Sequence, residues 1–338
     1  MTGRKKILLI GGSMNQTTMV TKIARHLSHH DLWFTPFYTT GVMSYLESQG
    51  FLEWTVAGSK HQQRSMEFLL DQGFQVDLRG SQGDYDLVIT STDLFIQSNI
   101  RRTKMILVQE GMTDPDNIAY YLARYAGLPR YLASTSTFGL SDHYVRLCAA
   151  SDGYRDHFVS RGIQRSKVEV TGIPNFDNCA ELLKTPFELM DREYVLVATS
   201  DSRETFKYEN RRQFIRNAVR IADGRELVFK LHPNEKVDRA TSEIRKWAPD
   251  AHIYHGMSID PMIAHCSALI TRFSSVVYIG IALGKEVHSE FPLEELQRRC
   301  PIQNGGRSAE SIAAVCESVL EEGREFVSFS GFQAAWGS

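Results

Sequence analysis

The sequence alternates between short apolar runs and longer stretches of mixed polarity, and this alternation limits the folds open to it. The short runs are rich in β-branched residues, whereas the longer stretches have the 3.6-residue period of amphipathic helices. Such alternation is typical of α/β proteins with parallel sheets. Strands are predicted over residues 6–10, 33–38, 75–78, 86–90, 105–109, 145–149 and 168–170, and again over 194–198, 227–231, 252–254, 268–271 and 286–288.

A polar segment over residues 184–192, which contains a proline and has no clear period, divides this alternation in two. We therefore predict a Rossmann-like domain over residues 1–184 and a second one over 185–325. Residues 326–338 form a C-terminal helix or tail, for which a return to the first domain is one option. Because open parallel sheets bind ligands beyond the carboxyl ends of their strands, we expect the two sheets to face a central cleft.

Composition and charge exclude several classes of protein. The 338 residues include 38 Lys and Arg against 40 Asp and Glu, a net charge of −2, which argues against a protein that coats nucleic acid. No segment approaches the ~20 apolar residues of a transmembrane helix. The five cysteines are scattered, as in reduced cytoplasmic proteins. We expect a cytoplasmic protein without nucleic-acid partners; peripheral membrane contact and a homodimer remain open.

The first candidate site lies where the first strand ends, at Gly11, Gly12 and Ser13. Glycines allow a ligand to approach the backbone, and a helix that follows favours an anion at its N-terminus. The segment lacks the complete glycine patterns of dinucleotide or P-loop sites. A tight strand-to-helix turn without a ligand explains it equally well.

The second candidate is Glu110, which follows the strand predicted over residues 105–109 and precedes Gly111. A carboxylate just beyond a buried strand would project toward the cleft, partly desolvated, where it suits a general base. The alternative is an acidic surface turn.

The third candidate is His232, which ends another strand and precedes Pro233. There an imidazole can donate a hydrogen bond to a phosphate oxygen or stabilise charge on a leaving group. The alternative is an ordinary loop histidine, one of 11 histidines in the chain.

The fourth candidate is the segment with Arg272, Ser274 and Ser275, at a predicted strand-to-helix junction. Two hydroxyls and free backbone N–H groups would form an anion cradle. Ser274 could instead be a simple helix N-cap. Arg203 and Lys207, which follow the first strand of the second domain, are cations that could reach a diphosphate.

Other types of catalytic site have no support in the sequence. There is no His-Glu-x-x-His motif and no cysteine cluster, so no catalytic metal is implied. Gly-x-Ser-x-Gly, the motif of a hydrolase nucleophile elbow, is also missing.

Several motifs occur in the order found in one group of proteins. They are Val-Thr-Gly-Ile-Pro-Asn-Phe-Asp over 170–177, Lys-Leu-His-Pro-Asn over 230–234, Thr-Arg-Phe-Ser-Ser over 271–275 and Ala-Leu-Gly-Lys over 282–285. Between about residues 105 and 320 the chain resembles the GT-B-fold group of UDP-N-acetylglucosamine 2-epimerases and nucleotide-sugar glycosyltransferases.

Within that group, the chain resembles bacterial polysialyltransferases, capsule 3-deoxy-octulosonate transferases and CDP-glycerol polymerases in three signatures. These are an acidic pair before glycine, His-Pro and Ser-Ser; here Gln109 replaces the first acid. The resemblance implies that Glu110 is the catalytic base and that His232, Ser274 and Ser275 hold the nucleotide phosphates. It implies an inverting transfer without metal or cofactor, from a CMP-, CDP- or UDP-linked sugar to a glycan, surface-polysaccharide or lipid-linked acceptor.

Two alternatives remain. The non-hydrolysing 2-epimerases resemble the chain in the Val-Thr-Gly-x-Pro stretch, but their Gly-Gly-x-Gln-Glu-Glu run, with the acid that would hold the ribose, is replaced over residues 275–280. The other alternative is a GT-B scaffold that binds a nucleotide without catalysis. The sequence favours the glycosyltransferase.

Overall fold

A computed structural model describes residues 3–49, 57–204 and 208–330 of the chain. These residues belong to two compact units. The first comprises Met1–Asp177 and Asn304–Ser338, and the second comprises Asn178–Gln303. The chain therefore leaves the first unit once and returns to it.

Each unit contains one parallel sheet. The first has six strands in the order β2-β1-β3-β4-β5-β6, and the second has five in the order β11-β10-β7-β8-β9. The strands are β1 (Lys6–Gly11), β2 (Asp31–Pro36), β3 (Leu87–Thr90), β4 (Lys104–Val108), β5 (Arg146–Ala149), β6 (Val168–Val170), β7 (Tyr194–Ala198), β8 (Glu226–Lys230), β9 (His252–Tyr254), β10 (Ala268–Thr271) and β11 (Glu286–His288). The central strands β3, β7 and β10 are buried along their whole length, which explains their continuous apolar sequences.

Helices connect the strands. They are α1 (Met14–His26), α2 (Val42–Ser48), α3 (Ser59–Asp71), α4 (Ile118–Tyr125), α5 (Asp152–Ser160), α6 (Arg211–Ala222), α7 (Val237–Trp247), α8 (Asp260–His265), α9 (Val277–Ala282), α10 (Leu293–Arg299) and α11 (Ser308–Ser330). Short 3₁₀ segments lie at Leu78–Gly80, Ser98–Ile100, Arg130–Thr137, Arg165–Lys167 and Cys179–Lys184. Over the described part of the chain, none of the helices is both long and apolar enough to cross a bilayer.

The core of the second unit shows why its sequence folds in this way. Along α6, Ile215, Ala218 and Ala222 are buried at a spacing of three and four residues, on the face of the helix that meets the sheet. They belong to one apolar cluster with Phe229 of β8 and Ile244 of α7. The opposite face of α6 carries polar residues and is exposed.

The last helix, α11, belongs to the first unit, although the sequence assigned residues up to 325 to the second domain. It packs on α1 and buries Ile312, Ala313 and Cys316. Lys104 Nζ of β4 donates to its Val319 carbonyl at 2.8 Å. The sequence analysis gave such a return as an option for residues 326–338 only, because helical periodicity identifies a buried face but not the sheet that receives it.

The junction between the units also differs from the predicted one. The second unit begins at Asn178, because the 3₁₀ segment Cys179–Lys184 packs on α8 and α9 of that unit. The predicted boundaries at residues 184 and 325 therefore do not coincide with the units. Of the predicted C-terminal segment 326–338, α11 includes residues up to Ser330, and 331–338 lie outside the described residues.

The strand predicted over residues 75–78 is wrong. Only an isolated bridge between Phe34 and Val76 forms there, and the chain then turns into the 3₁₀ segment Leu78–Gly80. The reason is Asp77, whose carboxylate accepts hydrogen bonds from the backbone N–H groups of Ser81 and Gln82. These bonds favour a turn over an extended strand.

Candidate functional site

The predicted glycine turn connects β1 to α1 and is tightly packed. Ser13 is the N-cap of α1, and its Oγ accepts from the backbone N–H of Gln16 at 3.2 Å. A Cβ on Gly11 would lie 2.6 Å from Thr17 Oγ1, which is closer than real Cβ contacts. Glycine at position 11 is therefore required by the close approach of strand and helix. Ligand contacts at Gly11, Gly12 and Ser13 stay a prediction.

Glu110 lies just beyond β4, and three side chains from the start of α1 hold its carboxylate. Ser13 Oγ donates to Oε1 at 3.0 Å, and Asn15 Nδ2 donates to the same oxygen at 3.1 Å. Gln16 Nε2 donates to Oε2 at 2.5 Å. The structure thus brings Glu110 together with Ser13 of the predicted acceptor side, and it adds Asn15 and Gln16, which the sequence analysis missed.

The charge of Glu110 is stabilised by hydrogen bonds alone. No Lys, Arg or His within the described ranges forms an ion pair with it. An ionised carboxylate has about four lone-pair sites, and three are occupied here. Oε2, with one donor, can still accept a proton or a hydrogen bond from a ligand.

Gln109, which replaces the first acid of the family signature, has a structural role. Its side chain is buried, and its Nε2 donates to the Gly111 carbonyl at 2.8 Å. Its Oε1 accepts from the backbone N–H of Ala150, just beyond β5, at 2.9 Å. The amide ties the ends of β4 and β5 together and fixes the turn that carries Glu110. A carboxylate at this position could not make both bonds while ionised.

The Ile-Pro-Asn loop beyond β6 supports the same helix. Asn175 Nδ2 donates to Asn15 Oδ1 at 2.7 Å and to the Asn15 carbonyl at 2.9 Å. Lys22 Nζ donates to the Pro174 carbonyl and to Asn175 Oδ1, both at 2.8 Å. This loop therefore fixes Asn15, one of the donors to Glu110.

In the second unit, His232 follows β8 with its main chain fixed. Its backbone N–H donates to Thr199 Oγ1 and to Glu235 Oε2, both at 3.0 Å. Its ring Nδ1 accepts from the backbone N–H of Asn234 at 3.2 Å. In the neutral ring the proton therefore lies on Nε2. With its side chain 36% exposed, His232 can offer this N–H to an anion.

Glu235 is a buried acid that the sequence analysis did not single out. Besides the His232 N–H, its carboxylate accepts from the Thr199 hydroxyl and from the Arg211 guanidinium. Buried charges occur where they are paired, and Arg211 supplies the pairing here. The spacing of three residues between His232 and Glu235 is the signal that could have identified this turn.

Arg203 and Arg272, predicted to contact phosphate, lie in a buried ion-pair network around Glu209. Arg203 pairs with Glu243 at 2.8 Å and with Glu209 at 3.5 Å. Arg272 pairs with Glu290 and, at 4.0 Å, with Glu209. Their charges are thus largely neutralised by the protein, and a direct phosphate contact stays a prediction.

Burial raises the pKa of Glu209, although Arg211, Arg272 and Arg203 act in the opposite direction. Its side chain is fully buried, and neither of its oxygens accepts a well-formed hydrogen bond from a residue that the structure describes. Nη2 of Arg203 and Nη1 of Arg272 are also buried without a hydrogen-bond partner among the described residues. The network therefore retains unused donors.

Ser274 and Ser275 form the turn that leads into α9. The backbone N–H groups of Val277 and Tyr278 donate to their carbonyls at 3.2 and 3.1 Å. The N-cap of α9 is Val276, without a side-chain cap, so Ser274 is not the N-cap of α9. Both serines are half-buried, whereas Pro233, which follows His232 in sequence, is exposed. Lys207 lies outside the described residues.

One cluster has side chains that could bind a metal. Ligand atoms of His29, His30 and Glu317 lie within 4.8 Å of one another. However, His30 Nδ1 accepts from the backbone N–H of Lys5, so its proton lies on Nε2 and is donated to Glu317 at 3.0 Å. The cluster therefore works as a hydrogen-bonded clamp between α11 and the start of the first sheet.

The structure forms two groups of candidate residues, one in each unit. Ser13 and Glu110 are in direct contact in the first. In the second, contacts run from His232 through Glu235, Arg211 and Glu209 to Arg203 and Arg272. That the two groups face each other across a central cleft stays a prediction.

Solved structures similar to this chain share its two-unit architecture. A protein from Listeria monocytogenes assigned as a UDP-N-acetylglucosamine 2-epimerase has a TM-score of 0.61 at 12% identity, over 95% of this chain and 98% of that one. The UDP-GlcNAc 2-epimerase of Neisseria meningitidis, solved with UDP-GlcNAc, has a TM-score of 0.56 at 12% identity, over 93% and 100%. A structure of the wall teichoic acid polymerase TagF reaches 0.50 at 11% identity, over 94% and 90%.

No protein-family model and no curated protein sequence matches the chain. The structural similarities, at identities of 11–12%, show the fold. The chain thus has the GT-B fold, with two Rossmann-like α/β units and two parallel sheets, and this part of the sequence analysis is confirmed.

Proposed function

We propose that the protein is a metal-independent inverting glycosyltransferase, which moves a sugar from a nucleotide-sugar donor to a glycan or surface-polysaccharide acceptor. The observation that carries this proposal is the setting of Glu110. Three neutral donors fix its carboxylate at the carboxyl end of β4, no described cation pairs with it, and Oε2 keeps an unused lone pair. A fixed, ionised carboxylate of this kind suits a general base.

In this proposal, residues of the second unit bind the nucleotide-sugar. His232 presents Nε2–H as a hydrogen-bond donor, because Nδ1 is occupied by the Asn234 amide. Such a donor stabilises negative charge on a phosphate oxygen. Ser274 and Ser275 would add hydroxyl donors. Arg203 and Arg272 would add positive charge near the phosphates, since their unpaired N–H groups are buried and do not reach the surface.

In the proposed reaction, the acceptor hydroxyl gives its proton to Glu110 Oε2 while its oxygen forms a bond to the anomeric carbon. The bond between that carbon and the phosphate oxygen breaks, and its electron pair goes to the phosphate. Attack opposite the leaving group inverts the configuration. His232 stabilises the charge that grows on the phosphate, and no step uses a metal.

An epimerase is the second candidate, because the 2-epimerases of Listeria monocytogenes and Neisseria meningitidis share the fold. An epimerase would convert the nucleotide-sugar without any acceptor, whereas a transferase releases the nucleotide only when an acceptor takes the sugar. A scaffold without catalysis would bind the nucleotide and do neither.

Calorimetry with UDP-, CDP- and CMP-linked sugars tests the proposal. We expect one of these classes to bind, and we expect His232→Ala to weaken that binding. The control is His143→Ala, which replaces an exposed histidine of the first unit and should leave the binding unchanged. Nucleotide release that requires an acceptor supports the transferase. Sugar isomerisation without acceptor supports the epimerase, and absence of binding by all three classes contradicts a function with UDP-, CDP- or CMP-linked sugars.

A further inference from the structure

Helix α6 of the second unit carries a row of arginines on its exposed face. Arg212, Arg216 and Arg220 are four residues apart, so they follow one ridge of the helix at about 6 Å per step. All three are exposed. The row therefore places three positive charges along about 12 Å of one surface.

These three arginines lack acidic partners. Throughout the described ranges, no carboxylate forms an ion pair with any of them, and α6 itself contains no Asp or Glu. The other arginine of the helix, Arg211, is buried against Glu235. In a chain of net charge −2, this row is a local concentration of positive charge, and such a concentration attracts anions.

The row also lines a groove of about 560 Å³. This groove is an open depression on the surface of α6, and it is lined by the three arginines together with the N-cap Asn210, Gln213 and Asn217, all polar. Arg212 is held in place on one side because its guanidinium lies 4.5 Å above the ring of Trp247. A groove with several regularly spaced guanidinium groups fits an elongated ligand with several anionic groups better than it fits a single ion.

We propose that this groove binds a linear hydrophilic polymer with one anionic group, phosphate or carboxylate, on each repeat unit. The proposal does not depend on sugar transfer. None of the six lining residues is aromatic, and the adjacent Trp247 ring is stacked on Arg212, so the lining offers no aromatic platform of its own on which nucleic-acid bases would stack. None of them is apolar, so it also lacks the residues with which a surface helix enters a lipid bilayer.

Binding of inorganic polyphosphate and of polygalacturonate, measured by fluorescence anisotropy across a salt series, tests this proposal. We expect the triple variant R212Q/R216Q/R220Q to bind the better of these probes at least tenfold more weakly. We also expect the slope of log affinity against log salt to become shallower by about two or more, because fewer counterions are released. The matched control is R101Q/R102Q/R298Q, which removes the same charge from exposed arginines elsewhere.

Equal loss of affinity in the control would show a nonspecific charge effect and overturn the proposal. So would an unchanged affinity in the triple variant. Tighter binding of single-stranded oligo(dT) or of phosphatidylserine vesicles than of both polymers, lost in the triple variant, would assign the groove to nucleic acid or membrane instead. Thermal melting of both triple variants verifies that they fold.

Discussion

Glu235 Oε2 accepts a hydrogen bond from the backbone N–H of His232 at 3.0 Å, so a buried acid fixes the turn that presents the imidazole. The same carboxylate is held by Arg211 and by the Thr199 hydroxyl. The charged groups of Glu235 and Arg211 thus fix the backbone of His232, while Nε2 of its ring stays available to a ligand. Glu235 is a positioning residue in this account, since it acts through His232.

Replacing Glu235 tests this positioning role. We expect Glu235→Gln to weaken nucleotide binding about tenfold. The turn would lose its charged hydrogen-bond acceptor, and the imidazole of His232 would no longer be held in position. One hydrogen bond to a charged group is worth about 1.5–3 kcal/mol. Glu226→Gln, at the half-buried start of β8, is the matched control and should bind normally. Calorimetry reports the affinity; normal binding by a folded Glu235→Gln variant would refute the role.

The buried amide of Gln109 gives a prediction about pH. We expect Gln109→Glu to destabilise the first unit at neutral pH by about 3 kcal/mol, because an ionised carboxylate cannot donate to the Gly111 carbonyl. Burial would raise the pKa of the new acid in the folded state. Its protonated form restores the donor, so stability should be regained as pH falls and lost as pH rises through the folded-state pKa.

Urea unfolding at several pH values measures this effect. The wild-type protein is the reference, and Gln164→Glu, at an exposed position of the first unit, is the control for an added charge. A Gln109→Glu variant whose stability relative to wild type does not improve at acidic pH would contradict the assigned hydrogen bond.

The environment of Asp77 leads us to expect that the first unit loses stability in acid. Burial alone would raise the pKa of its carboxyl, but hydrogen bonds from Tyr85, Gln82 and Ser81 outweigh burial and lower it. A lowered folded-state pKa contributes stability above the unfolded value of about 3.9. That stability is lost as pH falls through the folded-state pKa.

We therefore expect Asp77→Asn to cost about 2 kcal/mol at pH 7 and little at pH 2–3. Circular dichroism during urea unfolding at both values measures the difference. Asp84→Asn removes an exposed carboxylate from the same turn and should have little effect at either pH. An equal cost of Asp77→Asn at both pH values would show that its ionised form is not what stabilises the turn.

Much of the fold follows from the sequence because parallel strands that are buried on both faces must be continuously apolar. The fully buried strands β7 and β10 occur where the pattern predicts them, and so do the half-buried edge strands β9 and β11. Two short helices were missed. Helices α2 and α10 have seven residues each, too few for a clear 3.6-residue period, and neither was predicted.

The candidate site was predictable only in part. Glu110 and His232 could be found because they end apolar strands, where parallel sheets expose ligand-binding residues. The side chains that hold them in place could not be found in this way. Gln16 lies 94 residues from Glu110 in sequence, and their contact depends on which strands are neighbours in the sheet. The pairing of buried Arg272 with exposed Glu290 was missed for the same reason, because local sequence does not reveal a partner on another loop.

The most direct test of the proposed function is the rate of nucleotide release by wild type and Glu110→Gln, with the donor that calorimetry identifies and an acceptor glycan. We expect the variant to bind the donor normally and to release nucleotide ~10²–10⁴ times more slowly, since only proton removal from the acceptor is lost. Glu67→Gln, an exposed acid of α3, should retain the wild-type rate. Near-wild-type release by Glu110→Gln would contradict the assignment of Glu110 as the base.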